Sequence, residues 1–212
     1  MKSRDKVFES LFAASVWLWT CGNLVYVAAL AGSLDHRTLA TISTVLVLGL
    51  GVLAYRAHAA RAACARLARG HPLLLAAIAS VVLIEAILGM APPTARDALI
   101  QHLALPKLFV RAGGYVDLPF ALHAAYPQVV DMLYVLPVGL GLDRAAALVH
   151  LALGLLSAGV LSLRAARWAG DRAALLVAIF FLSLPAVVQV AGAAYVDLGV
   201  CLFVFLAIES FL

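Results

Sequence analysis

The 212-residue chain is 65% hydrophobic and only 12% charged, with a mean hydropathy of +1.06. A soluble domain carries about 25% charged residues, so the composition excludes an ordinary soluble enzyme and points to an all-α, polytopic membrane protein. The formal charge of +4 is then an orientation signal, read loop by loop, and not a nucleic-acid footprint.

Lys2, Arg4 and Lys6 precede the first apolar run, and Ala29-Leu30-Ala31 mimics a signal-peptidase site. The run spans residues 11–31, longer than the about 7–15 residues of a signal peptide's apolar region. An uncleaved first helix is the reading. Further runs at 39–55, 73–91, 145–163 and 173–195 are long enough, or nearly so, to cross a hydrocarbon core of roughly 30 Å. A sixth, 198–212, is still apolar where the sequence stops, so the chain reads as the front part of a longer protein or a truncated product. About six transmembrane helices are expected. Cys21, Cys64 and Cys201 are widely spaced and fit neither a disulfide framework nor a metal site. They read as small packing residues.

The run at 129–142 holds Asp131, Pro137, Gly139 and Gly141, and the basic residues decide how to read it. If it does not span and the N-terminus is cytoplasmic, Lys2, Arg4, Lys6, Arg56, Arg61, Arg66, Arg69, Arg164, Arg167 and Arg172 collect inside. Arg37, Arg96, Lys107, Arg111 and Arg144 remain outside. A spanning 129–142 would move Arg164, Arg167 and Arg172 outside and Arg144 inside, nearly erasing that bias. The positive-inside rule favours the first arrangement. Residues 129–142 then form an interfacial helix within one external loop, 92–144. The basic, alanine-rich stretch 56–69 reads as a cytoplasmic extension of the second helix at the anionic lipid surface.

The external loop carries the chemistry. Thr94-Ala95-Arg96-Asp97 after two prolines is the pattern of a helix start, with Thr94 as N-cap and Asp97 as the acid of a capping box. The helix should run to about Leu105, meet Pro106, and resume through Arg111 to Gly113-Gly114. Asp97 is thus either a capping residue or an ionised general base. Gln101 shares its face, whereas His102 is turned roughly 140° away. Lys107 and Arg111, four residues apart, could hold a phosphate or snorkel to the interface. His123, Tyr126 and Asp131 add polar groups. Asp197 would lie at the same outer end. Glu85 and Glu209 lie within apolar runs, where ionisable groups are costly and default to functional hypotheses. His150 reads as a neutral packed histidine. No HExxH, GxSxG, Walker or CxxC pattern occurs, so zinc proteases, serine hydrolases and P-loop enzymes have no support.

The segment ARDALIQHLALPKLFVRAGG resembles the first external loop of bacterial GT-C glycosyltransferases, the polyprenyl-phosphate-sugar enzymes related to protein O-mannosyltransferases and aminoarabinose transferases. HAAYPQVVDMLY, GLDRAAALVHLALGLLSAGVLSLRAARWAGDRAALL and LPAVVQVAGAAYVDLGV continue the similarity in order. It covers residues 73–212, leaving 1–72 as an N-terminal addition of two helices and a basic loop. Arg96 stands where the family usually has Trp, Gln101 where it has Tyr, and Asp131 where Glu is common. The resemblance implies the N-terminal portion of a GT-C fold in the inner membrane. It makes Asp97 the catalytic base and Asp197 a second acid near the site. A sugar would pass with inversion from a polyprenyl-phosphate donor to an acceptor hydroxyl at the outer face. Gln101, His102, Lys107, Arg111 and His123 would line the substrate, and Lys107 or Arg111 would stabilise the departing lipid phosphate. Family members differ in whether a divalent metal helps. Membrane lipids and a lipid-linked sugar are the expected partners, with no nucleic acid. Two rival readings remain: a non-catalytic or truncated module that binds lipid or a partner protein, and a small-solute transporter built on the intramembrane acids.

Overall fold

The computed structural model describes residues 2–119, 121, 124, 126 and 128–211. The described chain is helical, without a strand: α1 (Lys2–Leu30), α2 (His36–Arg56), α3 (His58–Gly70), α4 (Pro72–Gly89), a π-helical turn (Ala98–His102), α5 (Ala104–Ala112), α6 (Val129–Gly139), α7 (Ala145–Ser183), α8 (Pro185–Ala191) and α9 (Asp197–Phe211). Among the described residues, four helices are long and apolar enough to cross a membrane: Arg4–Leu30, His36–Arg56, Pro72–Gly89 and Ala145–Ser183. Large apolar side chains on α2 and α4, Val47, Leu48, Val52, Leu83, Ile84 and Ile87, are exposed. Such faces suit a lipid solvent, and the chain reads as a membrane protein.

The helix limits have local causes. Asp35 caps α2, its carboxylate accepting from the Thr38 N–H at 2.8 Å. The basic stretch is a separate helix, α3, because the chain breaks from helical geometry at Ala57. Pro72 and Pro185 start α4 and α8, where their missing N–H groups cost nothing. α7 contains the clearest turn. Gly170 has φ 82° and ψ −174°, a conformation closed to side-chain-bearing residues, and Val190 returns beside His150. The runs expected at 145–163 and 173–195 are therefore the two arms about Gly170. The second arm breaks again at Leu184, held extended before Pro185.

Contacts define two ends of the bundle. At one, Arg4 of α1 and Arg66 of α3 both pair with Asp171 beside the Gly170 turn. Arg164 and Arg167 converge on Glu209 of α9, and Arg167 also meets Asp5. Glu209 is thus a neutralised buried acid linking α7 to α9, as a burial this deep requires. At the other end, the loop after α5 docks on the close of α1. The Tyr115 N–H donates to Ala29 O (2.8 Å) and the Leu34 N–H to Gly113 O (3.0 Å).

α6 corrects one expectation. An interfacial helix keeps a polar face in water, but Asp131, Met132, Leu133, Tyr134, Val135, Leu136 and Val138 are all buried. Its sequence is apolar nearly all round, which suits burial within a bundle. Val25 and Ala29 of α1, Leu39 of α2, Leu105 and Phe109 of α5, and Met132, Val135 and Leu136 of α6 form one cluster. α6 is the post on which the loop end is built.

Candidate functional site

The segment after α4 does not form the capping box. The Leu99 N–H bonds to Ala95 O, so the helical turn begins one residue later than the box requires. Thr94 sits outside the cap position, and Asp97 makes no capping hydrogen bond. The chain then widens into a π turn, closed by the Leu103 N–H to Ala98 O at 2.8 Å. π turns are frequent at functional sites. Here the turn exposes Asp97, half-buries Gln101 and buries His102. Asp97 is exposed where His102 is buried, and His102 bonds to Asp131.

His102 is held from α6. Its Nδ1–H donates to Asp131 Oδ1 at 2.8 Å, with both residues at most 5% exposed. Burial pushes the Asp131 carboxyl above its ordinary value, and the hydrogen bond and charge of His102 draw it partly back. The Tyr195 ring stands edge-on to His102 with centroids 5.8 Å apart, and the Tyr134 hydroxyl donates to Tyr195 O. A loop turn, α6 and the approach to α9 therefore meet at one buried polar cluster. His150 supports the same region. Its Nδ1–H donates to Val190 O at 2.9 Å, while Nε2 accepts the Leu198 N–H at 3.1 Å. One ring donating and accepting is a neutral imidazole, in keeping with the packed histidine expected. Next to Leu198, Asp197 is exposed at the first turn of α9, where the helix dipole favours an acid.

A second ion pair ties α5 to the segment before α7: Lys107 Nζ to Asp143 Oδ2, 2.6 Å. Lys107 is thus engaged, while Arg96, Arg111 and Arg144 are exposed. Nearby lies a cleft of about 400 Å³, with Thr94, Ala95, Leu103, Asp143, Arg144 and Gln189 among its walls. Asp97 is not in that wall. Arg144 and Gln189 lie within segments quoted for the resemblance but were given no site role there, because no spacing rule brings the two positions to one cleft. His123 lies outside the described residues. Glu85 is 1% exposed, and neither carboxylate oxygen has a partner among the described residues.

No family model, no curated protein and no solved structure matches the chain.

Chemically, the loop end offers an exposed carboxylate at Asp97, a second at Asp197, three exposed guanidinium groups, and a buried His–Asp pair behind them. Among the described residues no three His, Cys, Asp or Glu side chains group to hold a metal ion. No step is routed through a metal ion.

Proposed function

We propose that the chain is a membrane glycosyltransferase module of the GT-C type, moving a sugar from a polyprenyl-phosphate donor to an acceptor hydroxyl at the outer membrane face. The observation that carries this reading is how the segments resembling the family pair with one another. His102 and Lys107 come from the first such segment, Asp131 from the second and Asp143 from the third, and they join as His102–Asp131 and Lys107–Asp143. Residues that resemble a family separately are thus bonded into one end of the bundle. On this reading α1, α2, α4, the two arms of α7 with α8, and α9 are six passes through the inner membrane, with a cytoplasmic N-terminus. Asp97, free of capping duty, takes the acceptor proton as the hydroxyl oxygen attacks the anomeric carbon. The bond from that carbon to the phosphate oxygen breaks, and Arg111 or Arg144 stabilises the anionic leaving group. Gln101 and His102 position the substrate beside it, and Asp197 borders the site.

The test is transfer from a polyprenyl-phosphate sugar to a hydroxyl acceptor by the reconstituted full chain. Asp97→Asn should cut the rate by about 10²–10⁴-fold while the protein still inserts and accumulates. Thr94→Ala should leave both rate and stability near the parent, because the Thr94 hydroxyl caps nothing. A non-catalytic module is the second reading, favoured by the absence of Asp97 from the cleft wall. It holds if Asp97→Asn and Thr94→Ala behave alike.

A further inference from the structure

Away from the proposed transfer site, two cavities meet at Val129, on the side of the bundle between α1 and α9. The larger, about 580 Å³, is apolar, with Trp19 of α1 facing Val200, Phe203 and Val204 of α9. The smaller, about 320 Å³, is polar, with Asn23, Tyr26, Tyr115 and Gln128 in its wall. Trp19, Asn23 and Tyr26 follow helical spacing, so a single stripe of α1 passes from the apolar cavity into the polar one. On α9, Gly199, Val200, Phe203, Val204 and Ala207 form the facing stripe, with Val196 just before the helix.

Gln128 shows what the polar cavity is built to receive. It is 6% exposed, and its Nε2–H donates to Ala124 O at 2.8 Å. That bond fixes the amide's orientation, because a carbonyl facing a carbonyl would repel. Oε1 is left buried with no partner among the described residues. A buried acceptor without a donor is unfavourable, and a hydroxyl in the cavity would satisfy it. No Lys, Arg, Asp or Glu is among the described residues lining either cavity, and the described polar groups in the walls are neutral amides and phenols, which suit an uncharged headgroup.

We propose that the α1–α9 face binds a lipid whose uncharged, hydroxyl-bearing headgroup enters the Asn23–Tyr26–Gln128 cavity while its hydrocarbon chain lies along Trp19, Val200 and Phe203. The headgroup hydroxyl donates to Gln128 Oε1. This site does not depend on the transferase reading, and either can fail alone.

The full chain in phosphatidylcholine nanodiscs is photolabelled with three probes carrying a diazirine in the acyl or alkyl chain: a monoacylglycerol, an alkyl glucoside and a lysophosphatidate. At least one uncharged probe should label peptides containing residues 19–26 and 199–207, and comparing the two separates a glycerol from a sugar headgroup. Gln128→Leu should reduce that labelling several-fold, and Val200→Trp, which fills the groove from its exposed side, should reduce it further. Leu83→Trp on the exposed face of α4 should change nothing. The proposal is overturned if label spreads evenly over α2 and α4, if lysophosphatidate labels the site as well as the uncharged probes, or if Gln128→Leu has no effect. It is equally overturned if a second copy of the chain or another helix proves to cover the face.

Discussion

His102 and Asp131 are 29 residues apart and share one buried hydrogen bond, and the pH dependence of that pairing has a definite sign. Burial raises the Asp131 carboxyl above its unfolded value, so the folded state binds this proton more tightly than the unfolded chain does. Stability from this group therefore falls as pH rises from the unfolded carboxylate value through the folded one. Thermal denaturation in detergent across a pH series should show that decline in the parent, and Asp131→Asn should remove its share of the slope. His102→Phe leaves a buried carboxyl without its donor, which should cost about 1–3 kcal/mol. Both residues were visible in the sequence as polar groups in an apolar setting. Their pairing was not, because no spacing rule links a loop turn to a helix across an intervening irregular segment. Thr94 and Asp97 failed in the opposite way. The local pattern was that of a capping box, but helical bonding starts from Ala95 and leaves the pattern unused.

The first arm of α7, α8 and the start of α9 are joined at the loop end by His150, whose two nitrogens bond Val190 and Leu198. At the opposite end Arg164 and Arg167 grip Glu209. Removing the acid leaves two part-buried guanidinium groups facing each other. Glu209→Ala should therefore destabilise the protein by about 3–5 kcal/mol, read as a loss of folded protein in a denaturant titration in detergent. Sequence reading marked Glu209 as a functional acid because its partners lie on another helix. Element types were far more legible: long apolar runs can only be helices in lipid. The limits were less so. The turn at Gly170 and the break before Pro185 show what decides them, a backbone angle that one residue type adopts and a proline that restricts its predecessor. α6 was legible as apolar but not as buried, because a short apolar run reads alike at an interface and inside a bundle.

For the whole molecule, the segregation of charge gives the orientation test. Single cysteines replacing Arg96 or Arg111, in a background lacking Cys21, Cys64 and Cys201, should react with an impermeant thiol reagent in intact spheroplasts. Cysteines replacing Arg61 or Arg172 should react only after permeabilisation. All four positions are exposed, so accessibility alone does not separate them, and the reverse labelling pattern would invert the proposed topology. The clamp on Asp171 has a further consequence, for the order in which the protein is made. Arg4 and Arg66 meet their shared acid only when Asp171 has been synthesised, and α1 also waits for α6 before its buried side chains find their neighbours. At about 5–20 residues per second, the ribosome takes roughly 7–30 s to travel from the end of α1 to Asp171. For that interval the first helix has α2 beside it, with the Trp17 indole N–H donating to Leu46 O, but lacks α6 and the acid that pins its basic end, so the earliest helix made is among the last to be fully locked in place.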